Sequence, residues 1–362
     1  VAEGKGAGSV TTQQQRLPQK LGWIERRFKN DLNLRRYRVF KKNPRAVFSL
    51  GLLVLLSFFS LTAEFWSNSR PLWLRYDQKQ YFPVFKDPHP SALGLGGSVI
   101  DYRKLPLDAS RGDSALWTLN RWDPYEYNVE VSRFPAPPSA DNWLGTDDRG
   151  RDILARLLYG FRYSMAYAVI VWGLTVLVGV SIGGVMGYFG GWVDLVGQRF
   201  VEILNTVPIF FLLIILISIF EPTLWLLVGL TSLFSWISLS YYVRGEFLKN
   251  RKMEFVSAAR SLGAGPLRII FKHVLPNSLV PVITFSPFIV SSHVLGLASL
   301  DYLGFGLRPP TPSWGELLNE AQKHFTTAWW LAVYPGVALF TTLVVLALIG
   351  EGVRGAFDPK KA

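Results

Sequence analysis

Few side chains in this chain have the types and spacing that chemistry at a fixed site demands. The densest acidic run is Asp147, Asp148 and Asp152, in the stretch WLGTDDRGRD at 143–152. Three carboxylates on two short glycine turns could hold a hard cation or order a phosphate-bound one through oxygen ligands. Against that, no histidine or second carboxylate cluster accompanies them, and Arg149 and Arg151 stand among the acids. The four histidines, His89, His273, His293 and His324, lack ligand-like spacing, and the absence of cysteine excludes thiolate sites and disulfides. No GxxxxGK[ST] loop is present, so ATP is not bound and hydrolysed here by that route. Nor does any nucleophile, base and orienting group form a set. The expectation is a chain with no catalytic residue, cofactor or metal of its own.

The composition points to the membrane. Of 362 residues, 49% are hydrophobic and 14% aromatic, with 13 tryptophans and a mean hydropathy of +0.23. A net charge of +12 would suggest a nucleic-acid partner in a soluble protein. Here the lysines and arginines crowd into short segments between apolar runs, the pattern of cytoplasmic loops, so the expected partner is the lipid bilayer and not nucleic acid. Apolar runs at 46–66, 163–188, 200–220, 223–243, 278–300 and 329–349 predict an all-α polytopic protein with six transmembrane helices. Residues 1–45 form a basic cytoplasmic segment, polar and expected to be disordered up to residue 19, with Trp23, Ile24 and Phe28 on the apolar side of an interfacial helix. Residues 67–159 form an external insert with some β structure, since Trp73–Tyr76 and Tyr81–Phe85 alternate like short strands. A five-helix core follows at 160–350, and a cytoplasmic tail at 351–362 leaves both termini inside. Glycines 179, 183, 184 and 187 have the spacing that lets helices pack closely in lipid.

The stretch at 244–276 is polar yet lies between two apolar spans. Phe255, Ala259 and Leu262 share one helical face; Leu267, Ile270, Phe271 and Val274 share another. Gly263 sits where a C-cap requires a left-handed residue, Pro266 where a first turn tolerates a missing N–H, and Pro276 is expected to stop the second helix. Two amphipathic helices joined by a tight bend suit a groove on another protein, or the lipid surface; periodicity does not separate the two. Polar groups within spans offer a path for a solute: Glu202 and Asn205 in the third, and Ser291, Ser292 and His293 in the fifth, where Pro281 and Pro287 free backbone carbonyls.

Ser257, Ala258, Ala259, then Gly263, then His273, Val274, Leu275 and Pro276 resemble the cytoplasmic loop of binding-protein-dependent ABC import permeases, whose pattern is E-A-A, three residues, Gly, nine residues, I-x-L-P. Ser257 replaces Glu and His273 replaces Ile; a serine in the first place is similar to the dipeptide and oligopeptide branch. Gly145, Thr146, Asp147, Gly150, Arg151 and Asp152 match a stretch that oligopeptide permeases carry before the second span, where the resemblance implies a structural corner. RPLWLRYD and YFPVF in the insert, and SLDYLGFG at 299–306, resemble the Yej type, whose E-type permease pairs with a B-type one and which imports oligopeptides, including microcin C-like conjugates.

What the resemblance implies is a type I (MetI-like) importer fold and a permease subunit without ATPase activity. Ser257, Ala258, Ala259, Leu262, Gly263, Ala264, Gly265 and Arg268 would then form the coupling helix seated on an ATP-binding subunit, with ATP and Mg held by that partner. A second homologous permease would complete a heterodimer, and a periplasmic peptide-binding protein would deliver cargo across the bacterial inner membrane. A proton-coupled peptide carrier and a membrane scaffold or sensor without transport remain as alternatives.

Overall fold

Local signals set where each helix begins. The computed structural model describes Glu25, residues 31–96 and residues 100–358; the expectations for residues 1–19 and for Trp23, Ile24 and Phe28 lie outside them. Basic helix α1 (Asp31–Lys41) precedes α2 (Pro44–Leu61), where Pro44 occupies the first turn and the Asn43 side chain accepts from the Ala46 N–H at 3.3 Å. A short α3 (Ala63–Trp66) leads into the insert.

The insert is built on a three-stranded antiparallel sheet in the order β2-β1-β3, with β1 Trp73–Tyr76, β2 Lys79–Tyr81 and β3 Ser114–Leu116. Leu74 pairs with Tyr81 on one side and Ala115 on the other, and packs on Leu93, Ile100, Tyr102 and Leu105. The second strand expected at 81–85 instead ends at Tyr81, because Pro83 has no N–H for the ladder and residues 83–85 turn.

Helix α4 (Ile153–Phe189) starts ten residues before the expected span, since the Asp152 carboxylate accepts from the Ala155 N–H at 2.8 Å and opens the helix there. At about 1.5 Å per residue it is roughly 55 Å long, well beyond the hydrocarbon thickness. The expected single span at 200–220 is broken into α5 (Gly191–Asn205) and α6 (Ile209–Ile219), set at 65°. Pro208 is the cause: it lacks a donor and disfavours helical backbone at Val207. Helix α7 (Leu224–Asn250) continues the fourth span past residue 243.

Three short pieces follow, α8 (Glu254–Ser261), α9 (Pro266–Ile269) and α10 (Leu275–Ser278), the last two joined by a π turn at Ile270–Val274. Pro276 therefore does not stop the second helix; the widened turn just before it accommodates the missing N–H, and the helix runs on to Ser278. Helices α11 (Val280–Tyr302), α12 (Trp314–Lys323) and α13 (Trp330–Phe357) complete the chain, and α13 extends through most of the expected tail.

Among the described residues, five helices are long and apolar enough to cross a membrane, six if the bent α5–α6 pair is one span. The tightest pair is α4 with α7. A Cβ added at Gly183 would lie 2.5 Å from the Ser240 carbonyl, and one at Gly187 2.5 Å from Phe247 Cβ, so glycine is what brings these backbones together. Helix α13 packs on α11 and α2, and α1 lies along its end, with the Arg36 guanidinium 4.2 Å from the Phe357 ring centre.

Candidate functional site

Residues 251–277 form a projection closed at its neck. Asn250, the last residue of α7, donates through Nδ2 to Ser278 Oγ at 2.9 Å, so the chain leaves and re-enters the bundle at one point. Arg251 donates to the Tyr188 carbonyl at the end of α4 at 2.8 Å, and Arg244 forms a two-pronged ion pair with Asp194 of α5, Nη2 to Oδ2 at 2.7 Å. Inside the projection, Val256, Ile269 and Val274 pack on Val243 and Phe247 of α7. The projection is thus fastened to α7 and α4, and the Arg244–Asp194 pair in turn ties α7 to α5.

The bend is closed by backbone alone. Gly263 has φ +81°; its N–H donates to the Arg260 carbonyl at 3.0 Å, and the Ala264 N–H donates to the Ala259 carbonyl at 3.1 Å. These two bonds make a Schellman cap, and glycine supplies the left-handed residue it needs. Gly265 then precedes Pro266 in the first turn of α9.

The expected face of Phe255, Ala259 and Leu262 divides. Ala259 and Val256 are buried against the spans, whereas Leu262 is 88% exposed and Phe255 41%. In the second half Val274 is buried, but Leu267 is 70% and Phe271 65% exposed. Ser257, Ala258 and Arg268 are exposed as well, and Ala264 is half-buried. The projection therefore has two apolar faces, one against its own bundle and one bare. Beside the bare face an apolar cleft of about 260 Å³ opens between α4 and α9–α10, lined by Val185, Phe189, Leu267 and Phe271. Large apolar groups gathered at one rim are the mark of a surface that another protein or a membrane covers.

Comparison with known proteins decides what kind of molecule carries this projection. Residues 179–362 match the family described as binding-protein-dependent transport system inner membrane component. The inner membrane ABC transporter permease protein YejE of Escherichia coli (strain K12) is 41% identical over 335 residues, covering 91% of this chain and 98% of that protein. The chain belongs to this permease family. The peptidoglycan transport system permease protein YejE of Agrobacterium fabrum is 37% identical over 360 residues, 90% of this chain and 93% of its own. The glutathione transport system permease protein GsiD of Pectobacterium atrosepticum is 34% identical over 248 residues, 68% and 82%. The resemblance to oligopeptide-branch permeases of the Yej type is borne out, as is the MetI-like helical fold with a small sheet. This permease is a multi-pass inner-membrane protein of the ABC transporter class.

The residues proposed for a solute path are dispersed. Glu202 is exposed and paired with Arg199 at 2.6 Å one turn away, and Asn205 is exposed at the end of α5 before the bend. Ser291, Ser292 and His293 follow one another on α11, so they point about 100° apart and cannot share a face. Ser292 lines a cleft of about 230 Å³, together with Ser235, Ser238 and Tyr242 of α7 and Phe285 of α11. The α7 residues repeat at i, i+3 and i+7, a polar stripe that was readable in the sequence but masked by its apolar neighbours. His293 is half-buried, and its Nε2 is buried without a partner among the described residues.

At the opposite end of α4, Asp152 does not join Asp147 and Asp148. Its carboxylate caps α4 and accepts from Asn120 at 2.8 Å and Asn142 at 2.9 Å. Glu320 of α12 takes its place, within 4.8 Å of both other acids. Two buried arginines face these groups: Arg151 donates to Asp147 at 2.6 Å, and Arg156 pairs with Glu316 and lies 3.4 Å from Asp147. Burial, followed by the neighbouring Asp147, Asp148 and Glu316 carboxylates, pushes Glu320 up to about 8. The stretch at 145–152 is a corner in which charges clamp α4 to α12.

Proposed function

We propose that this permease forms one wall of an ATP-driven importer of oligopeptides or peptide conjugates, with residues 251–277 as the piece through which an ATP-binding subunit moves it. The observation that carries this reading is the bare apolar rim of Phe255, Leu262, Leu267 and Phe271 on a projection fastened to α7 and α4. Ser257, Ala258, Ala259, Gly263, Ala264, Gly265 and Arg268 shape or border that rim. ATP and Mg would be held by the partner, and this chain contributes no catalytic group. A displacement of the projection tilts α7, and the glycine contacts at 179, 183 and 187 carry α4 with it, so the bundle rocks as a body. Since six spans make only one wall of a passage, a second, homologous permease would complete a heterodimer, and a periplasmic peptide-binding protein would load it. Peptide cargo is supported by the relatives, which include a peptidoglycan and a glutathione transport permease, and the largely apolar cleft at Ser292 becomes the best candidate for a path wall. The basic segments on the projection's side favour cytoplasmic termini.

The test is uptake into vesicles that contain this permease, the second permease, the ATP-binding subunits and the binding protein. Uptake that needs ATP and survives collapse of the proton gradient supports the reading. Uptake that follows the proton gradient without ATP makes the chain a carrier, and none in an intact assembly leaves a scaffold.

A further inference from the structure

The insert contains a cleft of about 470 Å³, within the size range of small-molecule sites, and nothing so far uses it. Its charges divide into two kinds. Arg103 is paired with Glu126 at 2.8 Å and lies 3.7 Å from the Trp122 ring centre, and Lys104 is paired with Glu130 at 3.2 Å. Arg121 and Asp141 also line the cleft and are exposed, but neither has an ion-pair partner among the described residues. The only side-chain contact shown for Arg121 is with the Trp117 ring, 5.1 Å away, and the Asp141 main-chain carbonyl, not its carboxylate, receives the Trp122 indole N–H at 2.9 Å. Tyr127 and Trp143, both at least half exposed, supply aromatic surface in the same cleft. A cation and an anion without ion-pair partners, lining one cleft with aromatic side chains, complement a small zwitterion with an apolar body.

The floor of the cleft is wired to a span. Asn128 donates to Asn142 at 2.9 Å, Asn142 to Asp152 at 2.9 Å, and Asn120, also lining the cleft, to Asp152 at 2.8 Å. Asp152 caps α4, so the cleft is one chain of buried amides away from the first turn of the longest helix.

We propose that this cleft is a holding site for a short unblocked peptide, with Arg121 taking the α-carboxylate, Asp141 the α-ammonium, and Tyr127 and Trp143 lying against the side chains. The proposal rests on the peptide reading given above and adds a site within this chain, distinct from the cleft at Ser292.

The test uses the assembled permease complex in nanodiscs without its binding protein, titrated calorimetrically with Ala-Phe-Ala and with its N-acetylated and C-amidated forms. Saturable binding of Ala-Phe-Ala is expected, weakened about tenfold or more by either block, as befits loss of a charge-assisted hydrogen bond. Arg121→Gln should weaken the free peptide by the same factor and leave the amidated one unchanged; Asp141→Asn should do so relative to the acetylated one. No saturable binding, or equal losses on free and blocked peptides, overturns the site. If Arg121→Gln and Asp141→Asn alter only the affinity for the binding protein, the cleft is a docking surface and the proposal is overturned. ATP-driven uptake of Ala-Phe-Ala by the complete system separates the two ideas. Uptake without cleft binding overturns the cleft alone, and cleft binding without uptake overturns the import reading alone.

Discussion

Substitution at Gly263 separates a loop that transmits force from one that merely fills space. The residue has φ +81°, and a Cβ there would meet no heavy atom within 4 Å, so alanine encounters no clash and its cost is confined to the backbone. For an L-residue that cost is about 1–2 kcal/mol, a factor of roughly 5–30 in the population of the correctly bent loop. Asparagine, which visits this region more readily, should cost less. Proline cannot reach it, because its ring holds φ near about −65°, and it also removes the N–H that donates to Arg260. Gly265 is the control: its φ of −71° suits any residue and its surroundings are open. ATP-driven uptake in proteoliposomes, normalised to assembled complex, should therefore fall in the order Gly265→Ala, Gly263→Asn, Gly263→Ala, Gly263→Pro, with the first near wild type and the last near background. Normal uptake by Gly263→Pro, or equal damage from Gly265→Ala and Gly263→Ala, would refute the reasoning.

Leu262→Asp and Leu267→Asp change exposed side chains, so thermal stability of the purified chain should stay within about 0.5 kcal/mol of wild type while uptake collapses; a stability loss as large as that of a core mutant would place them in packing instead. Gly187→Val pushes atoms into Phe247 Cβ and the Arg244 carbonyl, and overpacking of about 1–3 kcal/mol should lower the unfolding temperature, whereas Gly173→Ala, with open space around it, should not. Glu320, raised to about 8 by burial and by Asp147, Asp148 and Glu316, binds its proton more tightly in the folded chain than in the unfolded one. Stability contributed there is full below the ordinary carboxylate range and is lost as pH rises towards about 8. Melting curves at pH 5 and pH 8 should show that loss, and Glu320→Gln should flatten it; an unchanged slope in the variant contradicts the assignment.

The parts of the fold that local chemistry decides were legible in the chain. Gly263 and Pro266 announced a cap and a restart, and glycines 179, 183 and 187 announced a close helix pair without naming α7 as the partner. Where two faces compete, periodicity was silent: it found Phe255, Ala259 and Leu262 apolar, but not that Val256 joins Ala259 inside while Leu262 stays out. The apolar run at 200–220 read as one span, yet it bends by 65° at Pro208, which has no N–H to continue the ladder and disfavours helical backbone at Val207. The charged corner was read from Asp147, Asp148 and Asp152 as neighbours in sequence, whereas its chemistry depends on Glu316 and Glu320, more than 160 residues away, and on the N-cap that draws Asp152 aside. The cleft at Ser292 needed α7 and α11 side by side, which no one-dimensional pattern specifies.

Because the natural chain has no cysteine, a single cysteine placed at Leu262 is unique and reports directly on what touches the rim. In a working, assembled transporter that cysteine should cross-link to an ATP-binding subunit and be shielded from a bulky water-soluble maleimide. Free labelling at position 262 in complexes that still import, with no cross-link to that subunit, would contradict the account.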